Sequence, residues 1–155
     1  MMDLQPYQEP MTAGKVANVY AAQNVFTDYQ ERKAVHTRRR QRADLALFTR
    51  YLHEAGLEVQ GLYDTPSSWE PITYGLVDGF VRWMLREGYA IGSVNVRLST
   101  VKEYCDLATR ANVLSTDENA LIKLVKGYKY NEGRNLDELR TTARVGRKKA
   151  EALLI

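Results

Sequence analysis

The sequence predicts an all-α fold, a bundle of four to five helices followed by a basic C-terminal linker. Apolar residues recur at three- and four-residue spacing along most of the chain, the period of a helix with one buried face. Runs of alternating β-branched residues, which would mark half-buried strands, are nearly absent. With 155 residues, 45% of them apolar and including ten Tyr, three Phe and two Trp, the chain can fill one core and has no room for a second large domain.

Residues 1–14 read as an N-terminal tail. From Lys15 to Tyr29 the residues Val16, Val19, Tyr20, Val25, Phe26 and Tyr29 recur at helical spacing and predict a first helix. Thr37 is a suitable N-cap for a second, whose face is Leu45, Phe48, Leu52 and Ala55 and whose stop is Gly56. Between Gly61 and Pro71 the Gly, Asp, Ser and Pro content marks a loop. The third helix follows Pro71-Ile72-Thr73, with Leu76, Val77, Phe80, Val81, Met84 and Leu85 inward and Gly88 at its end. Ser93 then caps a fourth, carrying Val94, Leu98, Val101, Cys105 and Ala108 and closed by Asn112. Ser115 to Glu118 supply a cap and early acids for a short fifth helix through Val125. Residues 15–127 thus form the helical domain. Residues 128–155 are polar and basic with no sustained apolar face, and they read as a linker until Ala150–Ile155 turns apolar, as the start of a following domain would.

One cysteine, Cys105, excludes an intramolecular disulfide and suits a reducing compartment. Its inward position in the fourth helix predicts an inert buried thiol. Two histidines, His36 and His53, leave little for a metal, and no cofactor is implied. The N-terminus lacks a signal pattern, and no apolar run approaches the roughly 18 residues that a membrane helix needs. A cytoplasmic protein with no membrane partner and no small-molecule substrate is the expectation.

The formal charge is only +3, but it is segregated. Residues 1–53 carry eight Lys and Arg against five Asp and Glu, residues 54–118 five against ten, and residues 119–155 nine against four. Basic ends around an acidic middle suggest a polyanionic partner. Three basic loci stand out. The first is HTRRRQR, with Arg38, Arg39, Arg40 and Arg42 in the first turns after Thr37. Cations there oppose the helix dipole by a few tenths of a kcal/mol each at about the usual magnitudes, so a phosphate backbone is the natural beneficiary, and a solvated charged face the alternative. The second is the outer arc of SVNVRLSTVKEY, where Asn95, Arg97, Ser99, Thr100 and Lys102 have the chemistry of base-edge and phosphate contacts, or of an ordinary wet helix surface. The third is the tail, from Lys126 and Lys129 through Arg134, Arg140 and Arg144 to Arg147, Lys148 and Lys149, which either tracks a backbone or merely solubilises. Three such loci on one small domain favour nucleic acid.

Catalytic patterns are missing. His36 to Arg39 formally spells H-x-x-R, but nothing near it supplies a nucleophile or second base; there is no Gly-rich phosphate loop, no metal spacing and no G-x-S-x-G. Trp69 and Trp83 are expected to pack.

Thr37, Gln41, Asp44-Leu45, Phe48 and Tyr51 resemble the T-x-x-x-Y-x-x-D-L-x-x-F-x-x-W pattern that opens the core-binding domain of tyrosine recombinases, the phage integrase family. Here Gln41 stands in place of the usual aromatic and Tyr51 in place of a frequent Trp. ITYGLVDGFVRWMLREGYAIGSVNVRLSTVKEYCDLATRANVL and LVKGYKYNEGR resemble later helices of that domain, and ARVGRKKAEALLI resembles the linker to the catalytic half. The similarity spans residues 16 to 155. It implies a SAM-like helical bundle that clamps double-stranded DNA, with other recombinase subunits as neighbours through the first and last helices. The family's catalytic set has no counterpart in this chain, so no cleavage is expected from it. By matching position, Thr37, Arg38, Arg39 and Arg42 form one DNA-facing element, Ser93, Asn95, Arg97 and Lys102 the other, with Arg147 and Lys148 on the tail; Asn95 and Arg97 are the better base readers. Two rivals stay open: a stand-alone helix-turn-helix regulator using the third and fourth helices, and a helical protein-interaction module.

Overall fold

The computed structural model describes residues 12–129 and, beyond them, residues 131, 132, 134, 136 and 138. Residues 12–129 form six α-helices and a short 3-10 turn, with no strand: α1 Ala13–Gln23, α2 Val25–Glu31, α3 Val35–Glu54, the turn Pro66–Trp69, α4 Tyr74–Arg86, α5 Ile91–Arg110 and α6 Thr116–Lys123. The expected all-α bundle is present. The helix count exceeds the expectation because the predicted first helix is two.

The break falls at Asn24, whose backbone leaves the helical region (φ −104°, ψ 3°) and whose side-chain amide donates to the Tyr20 carbonyl at 2.8 Å. That bond satisfies an end-of-helix carbonyl and lets the chain turn. As a result α2 buries Val25 and Phe26, whereas α1 buries nothing and leaves Val16, Val19 and Tyr20 exposed. Half of the predicted first apolar face is therefore surface.

Two predicted caps move as well. α3 starts at Val35 with Ala34 in extended conformation before it, and α5 starts at Ile91 after Ala90, so Thr37 and Ser93 lie inside their helices at the third position and cap nothing. Side-chain caps do form at Thr12, Thr73 and Ser115, which accept from the amides of Lys15, Leu76 and Glu118 at 3.2, 3.3 and 3.1 Å. Ser115 is the one sequence reasoning had placed. The predicted stops hold. Gly56 (φ 94°), Gly88 (φ 88°) and Asn112 (φ 62°) adopt the left-handed conformation, and the amides after them, of Leu57, Tyr89 and Val113, reach back to Leu52, Met84 and Ala108. Each pairing ties off an orphan carbonyl and turns the next side chain back onto the core.

α5 is the hub, packing against α2, α3, α4, α6 and the 3-10 turn. Around it runs a continuous aromatic cluster: Phe48 lies against Tyr51, Trp69 and Phe80, Tyr51 against Trp83, and Tyr104 against Phe26, Tyr29, Tyr63 and Trp69. Both tryptophans are buried, as expected. Trp69 has its indole N–H donated to the Leu62 carbonyl at 2.8 Å, which is how the loop from Gly61 to Pro71 is held in the core. Gln41, where an aromatic was the family norm, is buried and donates to the Tyr29 hydroxyl at 2.7 Å, so an aromatic from α2 occupies that neighbourhood instead. Val125 is buried, Tyr128 is half-buried and hydrogen-bonded to α5, and the described residues 131, 132, 134, 136 and 138 are helical.

Candidate nucleic-acid interface

Because α3 begins at Val35, Arg38 closes its first turn and Arg39, Arg40 and Arg42 occupy the second. The dipole penalty expected for them is accordingly reduced, since that effect dies away within one turn. Arg39, Arg40 and Arg42 are exposed, while Thr37 and Arg38 are half-buried. The Arg42 guanidinium lies 4.6 Å from the centre of the Tyr63 ring, and this contact holds its stem against the core. Arg38 keeps its Nε buried without an acceptor.

Asp44, on the next turn of α3, joins this cluster to α5. Its side chain is buried and accepts a hydrogen bond from Thr100 Oγ1 at 2.7 Å. Arg97 Nε stands 3.9 Å from one carboxylate oxygen, and Arg40 Nε 3.8 Å from the other. The Arg97 guanidinium also covers the Tyr89 ring at 4.5 Å. Two basic loci more than fifty residues apart in sequence therefore converge on one carboxylate. Ser93 sits one turn before Arg97 on the same side of α5, half-buried.

Asn95 and Lys102 do something else. The Asn95 side chain pairs reciprocally with the backbone of Tyr128, donating to its carbonyl and accepting from its N–H, both at 2.8 Å. Lys102 donates to the carbonyls of Lys123 and Val125 at 2.9 and 2.7 Å, closing the C-terminal end of α6. Residues 124–128 thus form a strap across the outer arc of α5. The approach is tight, because a Cβ added at Gly127 would stand 2.3 Å from Asn95 Oδ1. Both side chains were expected to face DNA, and both are engaged within the domain, since a strap without its own secondary structure needs donors and acceptors from elsewhere. A groove of about 660 Å³ runs beside the strap, lined by Leu98, Ser99, Lys126 and Tyr128 among others.

Arg147 and Lys148 lie outside the described residues, as do Arg140, Arg144 and Lys149. Of the tail cations within them, Lys126, Lys129 and Arg134 are exposed. Sequence reasoning missed Asp44, Tyr63 and Tyr89 as members of this surface. An acid four residues after Arg40 in a run of cations was the available signal for Asp44; nothing local marks the two tyrosines. Cys105 is buried, and burial pushes its thiol well above the ordinary range. Among the described residues no group of three His, Cys, Asp or Glu side chains could hold a metal ion, and no helix is long and apolar enough to cross a membrane.

No curated protein and no solved structure matches the chain. Residues 26–112, from α2 to the end of the α5 turn, match the family described as phage integrase, N-terminal SAM-like domain. That stretch contains the aromatic core, the Asp44 junction and both converging basic loci. With more than half of its length matched, the chain belongs to the phage integrase N-terminal SAM-like domain family.

Proposed function

We propose that this domain clamps double-stranded DNA for a site-specific tyrosine recombinase or integrase, binding the duplex and leaving strand cleavage to a separate catalytic domain. Thr37, Arg38, Arg39, Arg42, Ser93 and Arg97 form its DNA-facing side, with Arg40 joining them. Arg39, Arg40 and Arg42 meet phosphates, and Arg97 is the base-reading candidate on α5, because Asn95 is occupied by Tyr128. The observation that carries this reading is the convergence of α3 and α5 cations on Asp44 within a family whose members act on phage DNA integration.

The exposed Val16, Val19 and Tyr20 of α1, with Leu121 of α6 and Leu124 just after it, suit contact with neighbouring recombinase subunits on DNA.

Fluorescence anisotropy on a 30-base-pair duplex tests the proposal. Three phosphate contacts give a log–log salt slope of about −2.7, or roughly a 40-fold loss of affinity between 50 and 200 mM salt. Replacing Arg39, Arg40, Arg42 and Arg97 by Ala should flatten the slope towards zero. An unchanged slope in that variant would refute the assigned face.

A further inference from the structure

We infer that Asp44 is a positioning residue of the DNA-binding face: it holds the Arg97 guanidinium in the orientation in which α5 presents it. The inference rests on the DNA-clamp reading above and adds to it a component that carries the wrong charge for direct contact. An acidic side chain amid a run of arginines works against a polyanion unless it has another task.

The two arginines beside Asp44 are not equivalent. The Arg40 side chain is 54% exposed, so its ion pair is screened and adjustable. The Arg97 side chain is only 24% exposed and that of Asp44 only 7%. Arg97 is held on its Nε edge by the carboxylate and on its face by Tyr89, while Nη1 is buried with no acceptor. Burying an unpaired donor is unfavourable in itself, so the arrangement persists because the carboxylate and the ring restrain the rest of the group. Asp44 is in turn oriented by Thr100, one turn further along α5 than Arg97. The chain from Thr100 through Asp44 to Arg97 and Tyr89 leaves Arg97 few rotamers, and a side chain already ordered loses less entropy on contacting DNA.

The sign of one measurement separates this from simple electrostatics. Asp44→Asn makes the domain more positive by one charge, and field effects alone would tighten its hold on DNA. Positioning predicts the reverse: with the fold intact by thermal melting, D44N weakens duplex binding about threefold or more. Arg97→Ala should weaken the unmodified domain about tenfold but D44N less than twofold. Thr100→Val should act in the same direction as D44N, and Thr100→Ser should restore binding; this pair carries the test if D44N does not fold. Equal or tighter binding by D44N, or an Arg97→Ala effect of the same size in both backgrounds, would overturn the inference. NMR of the DNA-free domain provides an independent reading. The Arg97 Nε–H signal should be protected from exchange in the unmodified protein and averaged with solvent in D44N. If it stays protected in D44N, Asp44 does not position Arg97, whatever the DNA result. If the unmodified domain retains no duplex at 50 mM salt while the signal behaves as expected, the DNA reading fails and the hold on Arg97 stands.

Discussion

Replacing Asn95 by Ala should loosen the strap rather than the grip on DNA. The substitution removes two hydrogen bonds of 2.8 Å, one donated to the Tyr128 carbonyl and one accepted from its N–H. At a net value of about 0.5–1.5 kcal/mol per bond, the strap loses about 1–3 kcal/mol of local stability. The rest of its anchorage, Lys102 on the carbonyls of Lys123 and Val125 and the buried Val125 side chain, is untouched. Opening is therefore local, and its population rises about five- to 150-fold. Trypsin, which cuts after Lys126 and Lys129, reads that population directly when reclosing is faster than cleavage. The N95A variant should be cut faster by that factor while the melting of the helical core changes little. Asn95→Asp, which keeps the acceptor for the Tyr128 N–H and loses the donor, should fall between. A cleavage rate within twofold of the unmodified protein, combined with a large loss of DNA affinity, would show that Asn95 reads DNA and that its bonds to Tyr128 are incidental.

Gly79 offers a test of the core. A Cβ there would stand 2.4 Å from the Tyr51 hydroxyl, and that ring is held among Phe48, Phe80 and Trp83, so Gly79→Ala should cost about 1–3 kcal/mol by urea denaturation despite improving helix propensity. Alkaline pH should unfold the domain. Burial raises Cys105, Tyr104, Tyr51 and Tyr128 above their ordinary values, and a folded value above the unfolded one means a contribution complete below the unfolded pKa and lost as pH rises beyond it. Thermal midpoints should fall above about pH 8.5, where the free thiol titrates, and more steeply above about pH 10, where free tyrosine does; a flat profile to pH 11 would contradict this.

How much of the molecule was legible depended on how local the cause was. The stops at Gly56, Gly88 and Asn112 could be read directly, because left-handed backbone favours Gly and Asn wherever the chain runs. Starts were less legible. Thr37 and Ser93 had the right chemistry for caps, yet the helices begin a turn earlier, after Ala34 and Ala90, whose side chains cap nothing; a cap worth about 1 kcal/mol does not by itself fix a helix start. The single long first helix failed for a related reason: periodicity continues through Asn24, but only the part of the helix beyond it can reach the core.

The sequence by itself determined an all-helical chain, the buried faces of α3 to α5, the burial of Trp69, Trp83 and Cys105, and the basic character of α3 and α5, because periodicity and charge are properties of neighbouring residues. Tertiary structure alone decided what those cations do. It brought Arg97 and Arg40 onto Asp44, laid the strap over α5 so that Asn95 and Lys102 bind backbone, and left the apolar stripe of α1 uncovered by the other described residues. The physical reason is common to all three: a side chain's partner is set by which distant segment folds against it, and Asp44 and Thr100, or Asn95 and Tyr128, have no local signal that they meet.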